Sequence, residues 1–459
     1  MKHTIALTGK KMSGMALALA SALSLQCTAA EAGRRSASVS HGTTERAQRA
    51  SVPAPPIAMA TRPTPVGALT AEALRNNPEI GAARNEWEAA QQRIQPAGAL
   101  DDPMLEAGVI NLPAESLSFR QEDMTMKMLG LSQRLPFPGK RGLRRDVAAK
   151  DSESVGYAYR ETANRVVRDL RLAYYDLALV MESTRLTERN KQVLAQFLDI
   201  AASRYAVGQG NQADVLKAQT QVSKMEDELI RLGRERPAMA AELNRILGRR
   251  FDVAAPLPEP LHLQKTALRL EALRETAIAE RPQLLALQSL IDRAGKTLDL
   301  ARKDYYPDFD LKFAYGQRDK MPDGTGRDDL VSMTVAINLP IWRESKLDPR
   351  LAEAAAMRYQ AIDLYQAQQN EVSAELRQQV AAAEQGLKSA RLYETSILPQ
   401  ARLTVQSSLA AYKVDRVDFL TLLDNQMAVF NSEIGYAASL AAHNKALAEI
   451  DLLIGKPSL

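Results

Sequence analysis

The residue types that most often bind metals or attack substrates are sparse and scattered in this sequence. Cys27 is the only cysteine, and the four histidines, His3, His41, His262 and His443, lie far apart along the chain. A disulfide needs two cysteines, and a structural zinc site needs several Cys or His ligands at short spacings. No nucleophile motif or distinguished carboxylate pair stands out either. We therefore predict a protein that is not an enzyme and that holds no cofactor or structural metal.

Three methionines at alternate positions form the pattern closest to metal chemistry, because thioether sulfur is a soft ligand suited to copper. Met124, Met126 and Met128 alternate with Thr125 and Lys127. In a β-strand, such alternate side chains project to the same side. We interpret that side as facing lipid, where methionine is apolar filler. If these methionines bound metal ions on their way through a channel, their side chains would have to lie on the opposite side of the strand.

The N-terminus has the pattern of a secretory signal. An apolar run from Met15 to Leu25 follows three lysines, and small residues around Ala32 suit a cleavage site. This order predicts a signal peptide over residues 1–32. The apolar run is shorter than the roughly 20 residues that a membrane-spanning helix needs.

Cys27 leaves a second interpretation of this region open, since a cysteine near a cleavage site can be lipidated. Ser24 and Gln26 depart from the Leu and the small residue that usually precede such a cysteine, so cleavage near Ala32 is favoured. Residues 33–66 are rich in Ser, Thr, Pro and Arg and poor in large apolar residues. We predict a disordered linker there.

The rest of the chain contains an internal duplication. Three segments of the first half recur in the second half after 204 or 207 positions, which keeps their order unchanged. We predict two repeats, residues 67–260 and 261–456, each reading helix, two strands, a very long helix, a turn and a final helix. The matching segments are Asn77-Pro78-Glu79 with Arg281-Pro282-Gln283, Leu135-Pro136-Phe137 with Leu339-Pro340-Ile341, and Tyr205-Ala206-Val207 with Tyr412-Lys413-Val414.

Each repeat contains two segments with the alternation of a half-buried strand. They fall at about residues 103–111 and 123–134 in repeat 1, and at about 307–317 and 329–340 in repeat 2. About 10 residues is the length that a tilted strand needs to cross a bilayer. A two-stranded ribbon packed on helices in a globular protein would show the same alternation, so the strands alone leave both architectures open.

The helices favour the membrane architecture because they are too long for a compact domain. No proline interrupts residues 141–206, which as one helix would extend roughly 100 Å. Residues 347–411 form a second such segment, in which Pro399 predicts a bend. Both segments carry apolar residues at heptad spacing, and a further helix, 214–247 or 418–454, follows each. Each repeat therefore ends in a long antiparallel coiled-coil hairpin.

Four strands cannot close a barrel, and an open sheet edge cannot face lipid because its amide groups would lack partners. We predict a mainly α fold with a membrane β-barrel, built by a trimer whose twelve strands leave a channel. A lysine facing lipid at mid-bilayer costs about 2 to 4 kcal/mol, so Lys127 and Lys312 are both expected to face the lumen. The side chains expected to face lipid are Met124, Met126, Met128, Phe309, Leu311, Phe313, Val331, Met333, Val335 and Ile337.

Four stretches of the sequence carry a family pattern. The stretch from Leu131 to Lys140 reads LSQRLPFPGK, and it stands with Asn76 to Pro78, Tyr205 to Gly208 and Val417 to Asp424. Together with the duplication, these stretches resemble the TolC-like outer membrane efflux proteins, especially their cation-efflux branch, over residues 69–455. The resemblance implies a trimeric barrel continued by a helical tunnel, in the outer membrane and periplasm of a Gram-negative bacterium. It implies as partners a periplasmic adaptor and an inner-membrane pump, with the RND type as a candidate.

The resemblance also implies a passive conduit that is gated at the tips of the helical hairpins. Asp424 aligns with the position that lines the constriction in that family, and three-fold symmetry turns one acid into a ring that attracts cations. Charges at a hydrated tip can also be merely solvated. Asp415 stands where the first copy and the family have glycine, so the second turn is expected to be shaped differently. The other gate candidates are Asp418, Asp415, Arg416 and Asp214.

Two alternative functions stay open. A periplasmic coiled-coil adaptor would have similar helical hairpins, but it would not need four amphipathic strands. A duct for type I protein secretion would share the whole fold, and only the Pro-Phe-Pro-Gly-Lys junction favours the export of cations. Binding to nucleic acid is unsupported, because the net charge is only +4 and the acids and bases are interspersed.

Overall fold

The computed structural model describes residues 59–250, 252–264, 266 and 268–456 of the chain. The predicted signal peptide, Cys27 and residues 33–58 of the predicted linker lie outside the described residues. The last part of that linker belongs to the fold, because Met59–Pro63 forms strand β1, which pairs in parallel with β4, Ala255–Leu257. Regular structure therefore starts before the predicted end of the linker.

The first half of the described chain is built around one helix of 67 residues. This helix starts after Gly139, whose φ of 93° turns the chain out of the preceding strand, a conformation that glycine adopts without steric cost. A shorter helix before it is capped by Asn77, whose side-chain oxygen accepts the Glu79 amide at 2.8 Å. The elements in order are α1 (Val66–Asn76), α2 (Pro78–Gln92), α3 (Ile94–Ala97), β2 (Met104–Ile110), β3 (Met126–Leu135), α4 (Lys140–Ala206), α5 (Gln212–Ile246) and β4.

The second half has the same kinds of elements, with one interruption in its long helix. A π-helical turn, Tyr393–Ile397, separates two α-helical segments just before Pro399. Proline lacks an amide hydrogen and clashes with the carbonyl four residues earlier, so the wider turn accommodates it where the sequence predicts a bend. The elements are α6 (Leu270–Glu280), α7 (Pro282–Lys303), β5 (Phe309–Gln317), β6 (Leu330–Ile337), α8 (Asp348–Leu392), α9 (Leu398–Lys413) and α10 (Phe419–Leu453).

Four strands form one antiparallel sheet in the order β2-β3-β5-β6. The helices that adjoin these strands in sequence pack side by side in the corresponding order: α2 on α4, α4 on α7, and α7 on α8. The order of the helices therefore matches the order of the strands. β2 and α2 lie at one edge of the two layers, and β6 and α8 lie at the other.

Apolar seams between the helices make the core. Leu170 and Leu177 of α4 are completely buried, as are Leu376 and Ala383 of α8, which follows from their heptad spacing. Toward the far end of the hairpins, α4, α5, α9 and α10 share a second cluster around Phe419. The prediction of a mainly helical fold is confirmed. Among the described helices, none has the length and apolar character needed to cross a membrane.

Candidate functional site

Two turns close the helical hairpins, and they have the same backbone. Residues 207–211 join α4 to α5, and residues 414–418 join α9 to α10. Gly208 has a φ of 74° and Asp415 a φ of 65°. Their amides donate to equivalent carbonyl oxygens, of Tyr205 at 3.0 Å and of Tyr412 at 3.2 Å. The expectation of a differently shaped second turn is wrong, because aspartate tolerates the left-handed conformation better than most residues do.

Arg204, in the last turn of α4, ties the first turn to the second. Its guanidinium donates to the carbonyl oxygen of Tyr412 at 2.5 Å, to the carboxylate of Asp415 at 2.6 Å and to the carbonyl oxygen of Gln209 at 3.3 Å. The guanidinium carbon also lies 4.8 Å from the centroid of the Tyr412 ring. Only 16% of the Arg204 side chain is exposed, but 80% of the Asp415 side chain is, so solvent screens their ion pair more than it weakens the bond to the Tyr412 carbonyl.

The predicted gate residues are spread over both hairpins. Asp415, Arg416 and Asp418 belong to the second turn, and Asp214 lies in the first turn of α5. Asp424 is exposed on α10, one helical turn beyond that helix's start, and no ion-pair partner lies within 4.0 Å of it in the described part of the chain. The structure thus brings Asp415 to a cation and leaves Asp424 free to project from the helix.

Asp418 is held in its charged form. The Thr421 hydroxyl donates to its carboxylate and lowers the pKa of Asp418, and the charge of Lys217 on α5 adds a smaller lowering. Nearby, burial raises the pKa of the Tyr412 hydroxyl. The second turn therefore presents the Asp418 carboxylate in its ionised form at neutral pH.

Arg204 is absent from the predicted gate residues, although the sequence contained a signal for it. A displacement of 207 positions matches Arg204 with Ala411 and Gly208 with Asp415. At each of these two positions the tips differ by one charge, and the two differences have opposite signs. The structure shows that the two charges touch.

The register of the four-stranded sheet sorts its side chains onto two faces. Residues that pair across strands share a face, as Leu131, Phe313 and Met333 do. We call this side the apolar face, and nothing in the described chain covers it. Ten of its large side chains are at least 42% exposed, and three more, Leu135, Phe309 and Leu311, are partly exposed. The ten are Leu105, Val109, Leu129, Leu131, Phe313, Tyr315, Val331, Met333, Val335 and Ile337.

The prediction that Lys127 and Lys312 share a face is wrong. Lys127 pairs with Gln317 and so lies on the apolar face, whereas Lys312 pairs with Ser132 on the opposite, polar face. Lys127 is tolerated there because it sits at the start of β3, as the second residue of that strand. Its ammonium group lies 3.3 Å from the carboxylate of Asp319 and 5.1 Å from the Phe119 ring centroid, outside the strands.

The methionines change face with this correction. Met126 and Met128 lie on the polar face with Lys312, not on the apolar face with Phe313, and Met124 precedes the strand. This is the phase that a thioether path would require. Among the described residues, no group of three or more His, Cys, Asp and Glu side chains is placed to hold a metal ion.

Charged and hydroxyl side chains line the polar face. Lys312 forms an ion pair with Glu106 across two strands, and Ser132 and Thr334 lie level with Lys312. One side of the sheet is therefore suited to apolar surroundings and the other to water.

Comparisons with known proteins identify this architecture. A family model described as outer membrane efflux protein matches residues 69–249 and 273–456. The chain belongs to the outer membrane efflux protein family. This efflux protein is 20% identical over 411 residues to the cobalt-zinc-cadmium resistance protein CzcC of Cupriavidus metallidurans, covering 86% of this chain and 91% of CzcC.

Solved structures share the fold of this efflux protein. The outer membrane protein VceC of Vibrio cholerae superposes with a TM-score of 0.73 and 19% identity, over 85% of this chain and 96% of VceC. A crystal structure of CusC gives a TM-score of 0.72 and 14% identity, over 85% of this chain and 92% of CusC.

Family membership confirms the predicted function and location. The efflux protein is an outer-membrane channel component of an efflux system, and it extends into the periplasm. Members of the family work with an adaptor and an inner-membrane pump, and its relatives are channel proteins rather than enzymes. This function fits the comparisons better than a periplasmic adaptor or a protein-secretion duct.

Proposed function

We propose that three copies of the chain close into one twelve-stranded barrel and one helical tunnel, through which metal cations leave the periplasm. The observation that carries this proposal is the matching order of the two layers. The sheet is open at β2 and β6, and the helix layer above the hairpins is open at α2 and α8. If each copy places β6 and α8 against β2 and α2 of the next copy, the open edges of both layers are covered at once. A ring closed in this way leaves no unpaired strand in lipid.

The free edges have the character of surfaces that another subunit covers. The edge helix α8 exposes Met357, Tyr359 and Leu364, each more than half accessible in the single chain. Large apolar side chains clustered along one helix mark an interaction surface. Packing of α8 against α2 of the next copy would bury Met357 and Leu364, which lie seven residues apart on one face of the helix, and would continue the wall of the tunnel.

The two faces of the sheet give the barrel its inside and outside. The apolar face has the composition of a lipid-facing surface, while Lys312 and Glu106 are proposed to line the lumen. Lys127, at the start of β3, would reach the polar headgroup region through its contact with Asp319. This assignment keeps both lysines out of the hydrocarbon.

The hairpin tips are proposed to form the gate. Arg204 holds the second turn against the first, which favours a closed arrangement of the hairpins. Asp424 projects from α10 without a cation partner in the described chain, and three-fold symmetry would make a ring of three carboxylates that attracts cations. The resistance named for the relative CzcC supports divalent metal ions as the cargo.

Conductance of purified protein in a planar bilayer tests this function. The wild-type channel should conduct with a preference for cations, and Asp424→Asn should lose most of that preference because the ring of charge is removed. Asp227→Asn, an exposed acid on α5, is the matched control and should behave as wild type. A water-soluble monomer that forms no channel would refute the proposal, and unchanged selectivity in Asp424→Asn would remove that residue from the gate.

The cargo is tested in cells that lack the gene. These cells should become sensitive to cobalt, zinc or cadmium and should recover with the wild-type chain. Normal metal tolerance together with a defect in protein secretion would favour the secretion duct instead.

A further inference from the structure

A cavity of about 400 Å³ lies where the sheet meets the helices. The end of β3, the start of α4 and the segment between β6 and α8 surround it. Its wall is rich in cations and contains only two carboxylates, those of Asp304 and Asp308. The five cationic residues are Arg134, Lys140, Arg144, Lys346 and Arg350.

Both carboxylates of the cavity are already paired. Asp308 contacts the buried Lys140 ammonium at 2.9 Å and Arg134 at 3.7 Å, and it accepts the Phe137 amide at 2.8 Å. Asp304 lies 3.5 Å from the same ammonium group. These contacts account for the cations at the back of the cavity.

Three cations at the mouth of the cavity are left over. Within the described residues, Arg144, Lys346 and Arg350 have no carboxylate within 4.0 Å. The cavity therefore carries an excess of positive charge, and its occupant should be anionic.

The opposite edge of the same chain carries the complementary charge. Asp101 and Asp102 lie just before β2, separated from it by Pro103, and both are exposed. Neither has a cation within 4.0 Å in the part of the chain that the structure describes; one Asp101 contact is made by its backbone oxygen, which accepts the Gln133 side-chain amide at 2.8 Å. The chain therefore carries two unpaired acids beside the β2 edge of the sheet and unpaired bases beside the β6 edge.

Barrel closure brings these two edges together. Strand directions alternate across the sheet, so β6 would pair antiparallel with β2 of the next copy. The end of β6 then lies beside the start of β2, and the residues after Ile337 lie beside those before Met104. We infer that Asp101 and Asp102 of the partner subunit enter the cavity and pair with Lys346 and Arg350. This inference rests on the proposed trimer, and it makes the cavity a site that only the assembled channel completes.

The location strengthens such pairs. Leu339 and Trp342 border the cavity and are 71% and 67% exposed in the single chain. A neighbouring subunit that covers them would also exclude water from the charges, and a carboxylate can accept two parallel bonds from the guanidinium of Arg350. The contact would join adjacent subunits at the rim where barrel and tunnel meet, the position where the wall changes from strands to helices.

Carbodiimide cross-linking tests the contact in the wild-type protein, because the reagent joins a carboxylate to an amine that touches it. The detergent-extracted trimer should yield a peptide that links Asp101 or Asp102 to Lys346 between two chains. The double variant Asp101→Asn/Asp102→Asn should lose this product. The same preparation should keep the link between Lys445 and Asp176, 2.7 Å apart within one chain, as an internal control.

Reversal of the charges tests whether the contact stabilises the assembly. Lys346→Glu/Arg350→Glu should increase the dissociated fraction at a given temperature about tenfold or more, because like charges would then meet in a partly desolvated site. Adding Asp101→Lys/Asp102→Lys should restore most of the trimer. The control Lys224→Glu, on α5, should leave the dissociation temperature unchanged.

The outcomes separate this inference from the proposed function. A stable trimer without the cross-link and without rescue would overturn the contact and leave the channel intact, whereas a monomer under all conditions would overturn both. The cavity could instead hold an anionic phospholipid headgroup. In that case Lys346→Glu/Arg350→Glu would release co-purified phospholipid, measured by mass spectrometry, with no change in trimer stability, and the inference would be wrong.

Discussion

The two hairpin tips combine one backbone with two different sets of charges. Residues 207–211 and 414–418 use the same left-handed position and the same backbone hydrogen bonds. The side chains at equivalent positions nevertheless differ in charge. The equivalent pairs are Gly208 and Asp415, Gln209 and Arg416, Asn211 and Asp418, and Lys217 and Asp424.

This difference shows which part of a tip is fixed by the fold and which part can vary between the two copies. Hydrogen bonds and helix packing fix the turn, so the same conformation is reached with glycine and with aspartate. The exposed side chains are not constrained in this way, and the acidic ones are concentrated at the second tip. A gate built from both tips would therefore alternate between a neutral or basic hairpin and an acidic one.

Removal of the tie between the tips should have the largest effect. In Arg204→Ala, the Tyr412 carbonyl and the Asp415 carboxylate lose a shared charged donor. We expect the ratio of open to closed channels to rise roughly tenfold, as the loss of one or two charge-assisted bonds allows after screening at Asp415. Single-channel recording measures this ratio.

Arg185→Ala is the matched control for that experiment. Arg185 lies on the same helix, but its carboxylate partner at 2.6 Å, Glu182, is on that helix too, so no second hairpin is released. Equal opening by both variants would show that Arg204 does not act by joining the tips.

Exchange of the left-handed residues should have a smaller effect. Gly208→Asp places a side chain in the left-handed conformation at the first tip. Position 411, the equivalent of Arg204, is an alanine, so the new carboxylate gains no arginine partner. This substitution should weaken the first turn by about 1 kcal/mol. Asp415→Gly removes both the strain and the ion pair, so its net change should stay within about 0.5 kcal/mol. Hydrogen exchange of the turn amides, followed by mass spectrometry, compares the two. Equal losses would mean that the turns differ in more than their side chains.

Much of the wall could be predicted because its signals are local. The observed β2 and β5 lie within two residues of the segments predicted for them, and β3 and β6 within three. The phase of β3 could not be predicted in the same way. Met126 and Met128 at even positions are followed by Leu129 and Leu131 at odd positions, so alternation favours neither face. Only the pairing with β5, nearly 190 residues away, decides it.

The acidic residues of the candidate gate could be predicted from the sequence, but the contact of Arg204 with the second turn could not. Asp424 and Asp418 stand out because acids near a turn are visible in sequence, and the structure leaves both exposed. Arg204 acts on a residue 211 positions later, and the interaction exists only once the two hairpins have packed together around their shared cluster. Contacts of this kind depend on tertiary packing, which no local pattern reports.

The smallest expected effect concerns the pH dependence of the two turns. The bond from Thr421 lowers the pKa of Asp418 in the folded tip, so this carboxylate contributes stability above its unfolded pKa near 4 and loses it as the pH falls through the folded value. Asp418→Asn, which copies Asn211 of the first tip, should abolish that loss. Hydrogen exchange at the start of α10 between about pH 5 and 3, corrected for intrinsic rates, measures it.

The reciprocal substitution, Asn211→Asp, tests the pH dependence of the first tip in the same way. In Asn211→Asp, the residue three positions on is Asp214 rather than a threonine, so the new carboxylate meets a like charge instead of a hydroxyl donor. The new carboxylate would keep the bond from the Ala213 amide that Asn211 accepts at 3.1 Å, which lowers its pKa, while the charge of Asp214 opposes that lowering. The first turn should therefore lose less stability than the second as the pH falls toward 3. An equal loss in both tips would mean that the helix start, common to both, sets the titration, and that the neighbouring side chains do not.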